Sequence, residues 1–104
     1  MNAIDKVSDI TAADVAEYLR IADLTEGVTA ELNNYINVAK SFIMSYTGYP
    51  AEDLDNFPDF VIVVMVLCQD MYDNRSLYHE GKGVRINLNY LVETILGMHQ
   101  VNLL

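Results

Sequence analysis

Residues 57–75 read FPDFVIVVMVLCQDMYDNR, and this stretch decides the fold. Phe60 to Leu67 are eight consecutive apolar residues, with Cys68 a ninth. An amphipathic helix would interrupt such a run every three or four positions, so the segment is expected to be wrapped by other elements on nearly all sides. Val61, Ile62, Val63, Val64 and Val66 are β-branched and lean towards strand, and periodicity alone does not arbitrate. Length does. Pro58 to Asn74 makes about five helical turns at ~1.5 Å per residue, and Pro58 fits a first turn, where its missing N–H would be unpaired anyway. Asp59, Gln69 and Asp70 bound the run well short of the ~18 apolar residues of a membrane span. The reading is a buried core helix whose C-terminal end, Gln69 to Arg75, emerges from the core.

Working outward, ITAADV (10–15) predicts a helix start. Thr11 is the N-cap, Asp14 the N3 residue of a capping-box variant, and Ile10 and Val15 a hydrophobic staple. Ala12, Val15 and Leu19 share one face, Asp14, Glu17 and Arg20 the other, and the helix is expected to end near Ile21. Ala22 to Gly27 reads as an acidic linker. From Val28 onwards Leu32, Tyr35, Ile36, Ala39, Phe42, Ile43 and Tyr46 form one apolar stripe, with Asn33, Asn37, Lys40 and Ser41 opposite. Gly48 at C′ followed by Pro50 is a stop signal. AEDLDN (51–56) is expected to be an acidic loop into the core helix.

Beyond Arg75, SLYHEGKGVRI (76–86) carries Gly81 and Gly83 and reads as an exposed loop excursion. Asn87 is the expected cap of a fourth helix, with Ile86 and Leu91 as its staple and Leu88, Leu91, Val92, Ile95 and Leu96 as its apolar face. Gly97 is expected to end it, leaving MHQVNLL as an extended tail. The architecture is all-α: a single domain spanning 1–104, a small bundle of about four helices around a central apolar one. It comprises an N-terminal arm (1–9), the bundle (10–97) and a C-terminal tail (98–104).

With 104 residues and a hydrophobic fraction of 52%, the chain has apolar surface to spare, which favours self-association. Its 15 acidic against 6 basic residues give a net charge of −9, whereas binding to a nucleic-acid backbone needs clustered Lys and Arg. Arg75, Lys82 and Arg85 are three of the six basic residues, and their expected partners are carboxylates. Arg75 in particular is expected to pair with one, within the subunit or across an assembly. A lone cysteine excludes an internal disulfide and suits a reducing compartment. MNAIDKVSD has no apolar h-region, so the expectation is synthesis in the cytoplasm with no membrane contact.

Candidate chemistry is thin. Cys68 with His79 would be the only nucleophile and base, but the apolar run would raise the thiol pKa and leave it inert. His79, Glu80 and His99 lack metal-ligand spacing. Gly81-Lys82-Gly83 lacks the strand, length and hydroxyl residue of a phosphate loop. Asn74-Arg75-Ser76 matches a glycosylation sequon that has no meaning without secretion. No catalytic, metal or cofactor site is expected, and the protein is read as a non-enzyme.

ITAADVAEYLRI, an acidic linker, a helix ending SYTGYP and an apolar helix ending MYDNRSLY follow one another in this order. The set resembles the phage head–tail connector (adaptor) family, often labelled DNA-packaging protein, over about residues 10–96. Its most specific parts are Tyr46-Thr47-Gly48 and Tyr72-Asp73-Asn74-Arg75 at these spacings. The resemblance implies a bacteriophage virion protein, assembled in the host cytoplasm, that forms a ring, typically a dodecamer, beneath the portal protein. DNA passes through the lumen without specific binding, and a stopper or tail-completion protein docks below. It also implies that the loop between the third and fourth helices and the C-terminal tail make subunit, portal or neighbour contacts. The candidate interface is therefore Tyr72, Asp73, Asn74, Arg75, Tyr78, Lys82, Arg85, Val101, Leu103 and Leu104. The alternative is a small acidic helical binding or regulatory module, a DNA-charge mimic or host-protein binder.

Overall fold

The computed structural model describes residues 4–75 and 90–100. The fold is a small all-α bundle: α1 (Ala12–Leu19), α2 (Glu26–Thr47), α3 (Phe60–Asp73) and α4 (Tyr90–His99), with short 3-10 helices at Val7–Asp9 and Ala51–Asn56. The valine-rich run is helical, so burial overrides its local preference for strand.

Helix α1 begins as its sequence dictates. Thr11 Oγ1 accepts from the Asp14 N–H at 3.2 Å, and Asp14 Oδ2 accepts from the Thr11 N–H at 2.9 Å, which completes the capping box. The helix closes on Arg20, whose φ of 60° and ψ of 41° place a non-glycine residue in the left-handed region. There the Arg20 N–H reaches the Glu17 carbonyl and the Ile21 N–H the Ala16 carbonyl, satisfying two helix-end acceptors.

Thr25 caps α2 by accepting from the Val28 N–H, so the acidic linker is two residues shorter than expected and Glu26 and Gly27 form the first turn. Leu32, Tyr35, Ile36, Ala39 and Ile43 are buried, while Phe42 and Tyr46 flank them half-buried, their rings 6.0 Å apart. Thr47 closes the buried stripe; its hydroxyl donates to the Ile43 carbonyl at 2.7 Å and accepts from the Tyr49 N–H. Gly48, at φ 87°, ends the helix as expected.

Two regions read as irregular are ordered helical turns. AEDLDN forms the second 3-10 helix, with Asp53 N–H bonded to the Pro50 carbonyl and Phe57 N–H to that of Leu54, which lets Leu54 reach the core. The N-terminal arm is only partly an arm. Val7 is 1% exposed and Ile10 is also buried, both packed into the core, and one carboxylate ties their turn to the second 3-10 helix: Asp55 accepts from the Ser8 N–H at 2.9 Å and the Ser8 hydroxyl at 2.6 Å.

Helix α3 packs most extensively on α2 and also on α1 and α4. Phe60, Val63, Val64, Met65, Leu67, Cys68 and Met71 are buried. Val61, Ile62 and Val66 are half-buried, so the wrapping is less complete than the unbroken apolar run suggests. Pro58 and Asp59 form a turn ahead of the helix, with the Phe60 and Val61 N–H groups bonded to the carbonyls of Phe57 and Pro58.

The last helix departs furthest from expectation. Gly97 does not end α4, which continues through Met98 to His99, and so the first two residues of the expected tail are helical. Val92, Ile95 and Leu96 are buried as expected, whereas Leu91 is 48% exposed. The proposed cap Asn87, Leu88 and the 76–86 excursion lie outside the described residues.

Candidate functional site

Aromatic rings join the three helix ends at one end of the bundle. Tyr49, just past α2, lies 4.9 Å from Phe57, which lies 5.1 Å from Phe60 at the start of α3. His99, the last residue of α4, sits 4.6 Å from Phe57 and edge-on to Phe60 at 5.2 Å. Its Nε2 is 2.7 Å from Asp59 Oδ2. Thus α3 runs antiparallel to both α2 and α4. The sequence offered no signal for this contact: its partners lie 40 positions apart, and a single histidine beside Gly97 looks like tail.

Titratable groups converge little elsewhere. Burial pushes the Cys68 thiol up to about 12, so thiolate is scarce at neutral pH and the side chain serves as core. The hydrogen bonds from Ser8 hold the Asp55 carboxyl below its ordinary range. Among the described residues, no group of three or more His, Cys, Asp or Glu is placed to hold a metal, and no helix is long and apolar enough to cross a membrane.

The strongest candidate for a functional surface is the C-terminal end of α3. Asn74 closes the helix, its backbone N–H bonded to the Asp70 carbonyl at 3.1 Å and its side-chain Nδ2 to the same carbonyl at 2.8 Å. Arg75 folds back over Tyr72, with Cζ 4.4 Å from the ring centroid and Nη1 donating to the Tyr72 carbonyl at 2.9 Å. Within one copy, Arg75 meets among the described residues a π-face and a carbonyl and no carboxylate, which leaves the expected partner across an assembly. Asp73, Asn74 and Arg75 are exposed and Tyr72 half-buried. These four candidate residues are consecutive at the end of α3, and of them only Tyr72 and Arg75 are in side-chain contact among the described residues; Tyr78, Lys82, Arg85, Val101, Leu103 and Leu104 lie outside the described residues. Apart from this cluster, the large exposed apolar side chains among the described residues are Leu24, Leu91 and Met98, the last 66% exposed.

No protein-family model matches the chain, and neither does any curated protein or solved structure.

Proposed function

We propose that the protein is a structural component of a phage virion, forming a ring at the head–tail junction beneath the portal. The ring gives DNA a passage and offers a docking surface to a stopper or tail-completion protein. The reading rests on the resemblance of the ordered segments, and the observation that carries it is the pair of helix ends where that resemblance is most specific. Tyr46-Thr47-Gly48 closes α2 through a left-handed glycine, and Tyr72-Asp73-Asn74-Arg75 closes α3 with an arginine presented on the surface. Tyrosine and arginine are the residue types that carry most energy in protein interfaces. A net charge of −9 suits a conduit, since a lining that attracted phosphates would stall the strand.

Native mass spectrometry and negative-stain imaging test the proposal, with the chain at high concentration, alone and with the portal protein. A closed ring is the expected result. A stable monomer in both conditions that captures a host protein would favour the alternative of an acidic binding module.

A further inference from the structure

The geometry points to a head-to-tail contact between copies of this chain, in which Arg75 and Tyr72 of one copy meet the acidic 3-10 segment around Glu52 and Asp53 of the next. This inference rests on the ring reading and specifies which surfaces close it. Arg75 is exposed, held in one orientation by its stack on Tyr72 and its bond to the Tyr72 carbonyl, and without a carboxylate partner among the described residues. A guanidinium fixed in this way loses little freedom on meeting an acid, the condition under which an exposed charge contributes to association.

The complementary charge lies at the other end of the molecule. The two 3-10 helices pack together there through Ser8 and Asp55. Asp5, Asp9 and Glu52 are exposed at that end and Asp53 is half-buried. Lys6 and Lys40 offset part of this charge, and both act on Asp55, whose carboxylate is already engaged by Ser8. Glu52, exposed, and Asp53, half-buried, therefore form the acidic edge next to the start of α3. Helix α3 has 14 residues, so its two ends stand about 21 Å apart at ~1.5 Å per residue, beyond the reach of an arginine side chain. The complementary surfaces cannot meet within one copy.

Joined head to tail, as the ring reading requires, the contact links two different patches, and its repetition closes a ring or grows a filament. A two-fold dimer in which each Arg75 meets the acidic segment of the other copy would satisfy the same charges but stop at two copies, so an assembled mass of two copies alone overturns the head-to-tail contact. Leu91 adds exposed apolar surface on the same side of the contact, because the antiparallel order sets the N-terminal part of α4 beside the C-terminal half of α3.

Charge reversal tests the contact on the full chain, with assembled mass read by native mass spectrometry and folding checked by thermal unfolding. Arg75→Glu and Asp53→Lys are each expected to reduce assembled mass at least tenfold while the monomer melts as the wild type does. The double variant Arg75→Glu/Asp53→Lys is expected to restore assembly, as is an equimolar mixture of the two single variants. Wild-type assembly is expected to weaken as salt is raised from about 0.05 to 0.5 M, because the paired charges are exposed. If Arg75→Glu assembles as well as the wild type, or the double variant stays unassembled, the contact is wrong and the ring reading stands. A wild-type chain that remains monomeric alone and with portal protein overturns both.

Discussion

Gly97→Ala tests the course of α4 at a single atom. Gly97 sits inside α4 and its φ is not positive, so the backbone there does not demand glycine. A Cβ built at this position meets nothing within 4 Å, so the methyl group enters open space. Alanine is favoured over glycine in a helix interior by about 0.8–1 kcal/mol, part of it from the smaller freedom of the unfolded chain. Gly97 stands two residues from the helix end, where fraying reduces the effect, so the stabilisation should be about 0.5 kcal/mol. For a domain of this size that raises Tm by roughly 2–4 °C. Circular dichroism at 222 nm during a thermal ramp measures the shift. A Tm that falls would refute the reasoning, since it would mean that Gly97 terminates the helix in a conformation alanine cannot adopt.

The remaining predictions concern the core and its clamps. Cys68 in the folded protein should react with a thiol reagent only as fast as the chain globally unfolds, and a fast reaction in native buffer would contradict its burial. Phe60→Ala should cost about 3–5 kcal/mol in a urea titration, because the side chain is fully buried and packs on both Phe57 and His99. Asp55 contributes stability while it is ionised. Because its folded pKa lies below the ordinary value of 3.8, this contribution is fully present above 3.8 and is lost as pH falls through the lower, folded value. Asp55→Ala should lower stability at pH 7 by about 1 kcal/mol or less, given its exposure, and should flatten the acid limb of a stability–pH curve. Arg20→Gly should stabilise by about 1 kcal/mol by relieving the left-handed arginine, with an unchanged melting curve as the contrary result.

The elements legible in the sequence were those set by local chemistry. Thr11 and Asp14 are three residues apart and fold into their capping box without help from the rest of the chain, and Gly48 ends α2 for reasons contained in its own backbone. The apolar stripe of α2 likewise needs only the helical repeat to be seen. What escaped was set by contacts across the chain. Val7 and Leu54 are single apolar residues in polar surroundings; each is buried in the core, and the turns that carry them are joined by Ser8 and Asp55, 47 positions apart. Gly97 looks like a stop, but the helix runs on to His99, which meets Asp59 40 positions away. At the candidate surface, Tyr72 to Arg75 stood out as the polar end of an apolar helix, yet the stacking of Arg75 on Tyr72 depends on a side chain turning back on its own helix. Charge counting predicts a carboxylate partner for that arginine but not the ring and carbonyl it meets on its own helix.

Ser8 and His99 each bond to an aspartate in the short linker ahead of α3, at Asp55 and Asp59. Chain entry and chain exit are therefore buckled to one strap four residues apart. Tension applied to the two ends of such a chain loads the strap directly, and the helices bear force only after these two buckles open. Where such a chain is pulled, the first places to yield are the bonds that Ser8 and His99 make to these two aspartates, which can re-form, with the packed core held in reserve behind them.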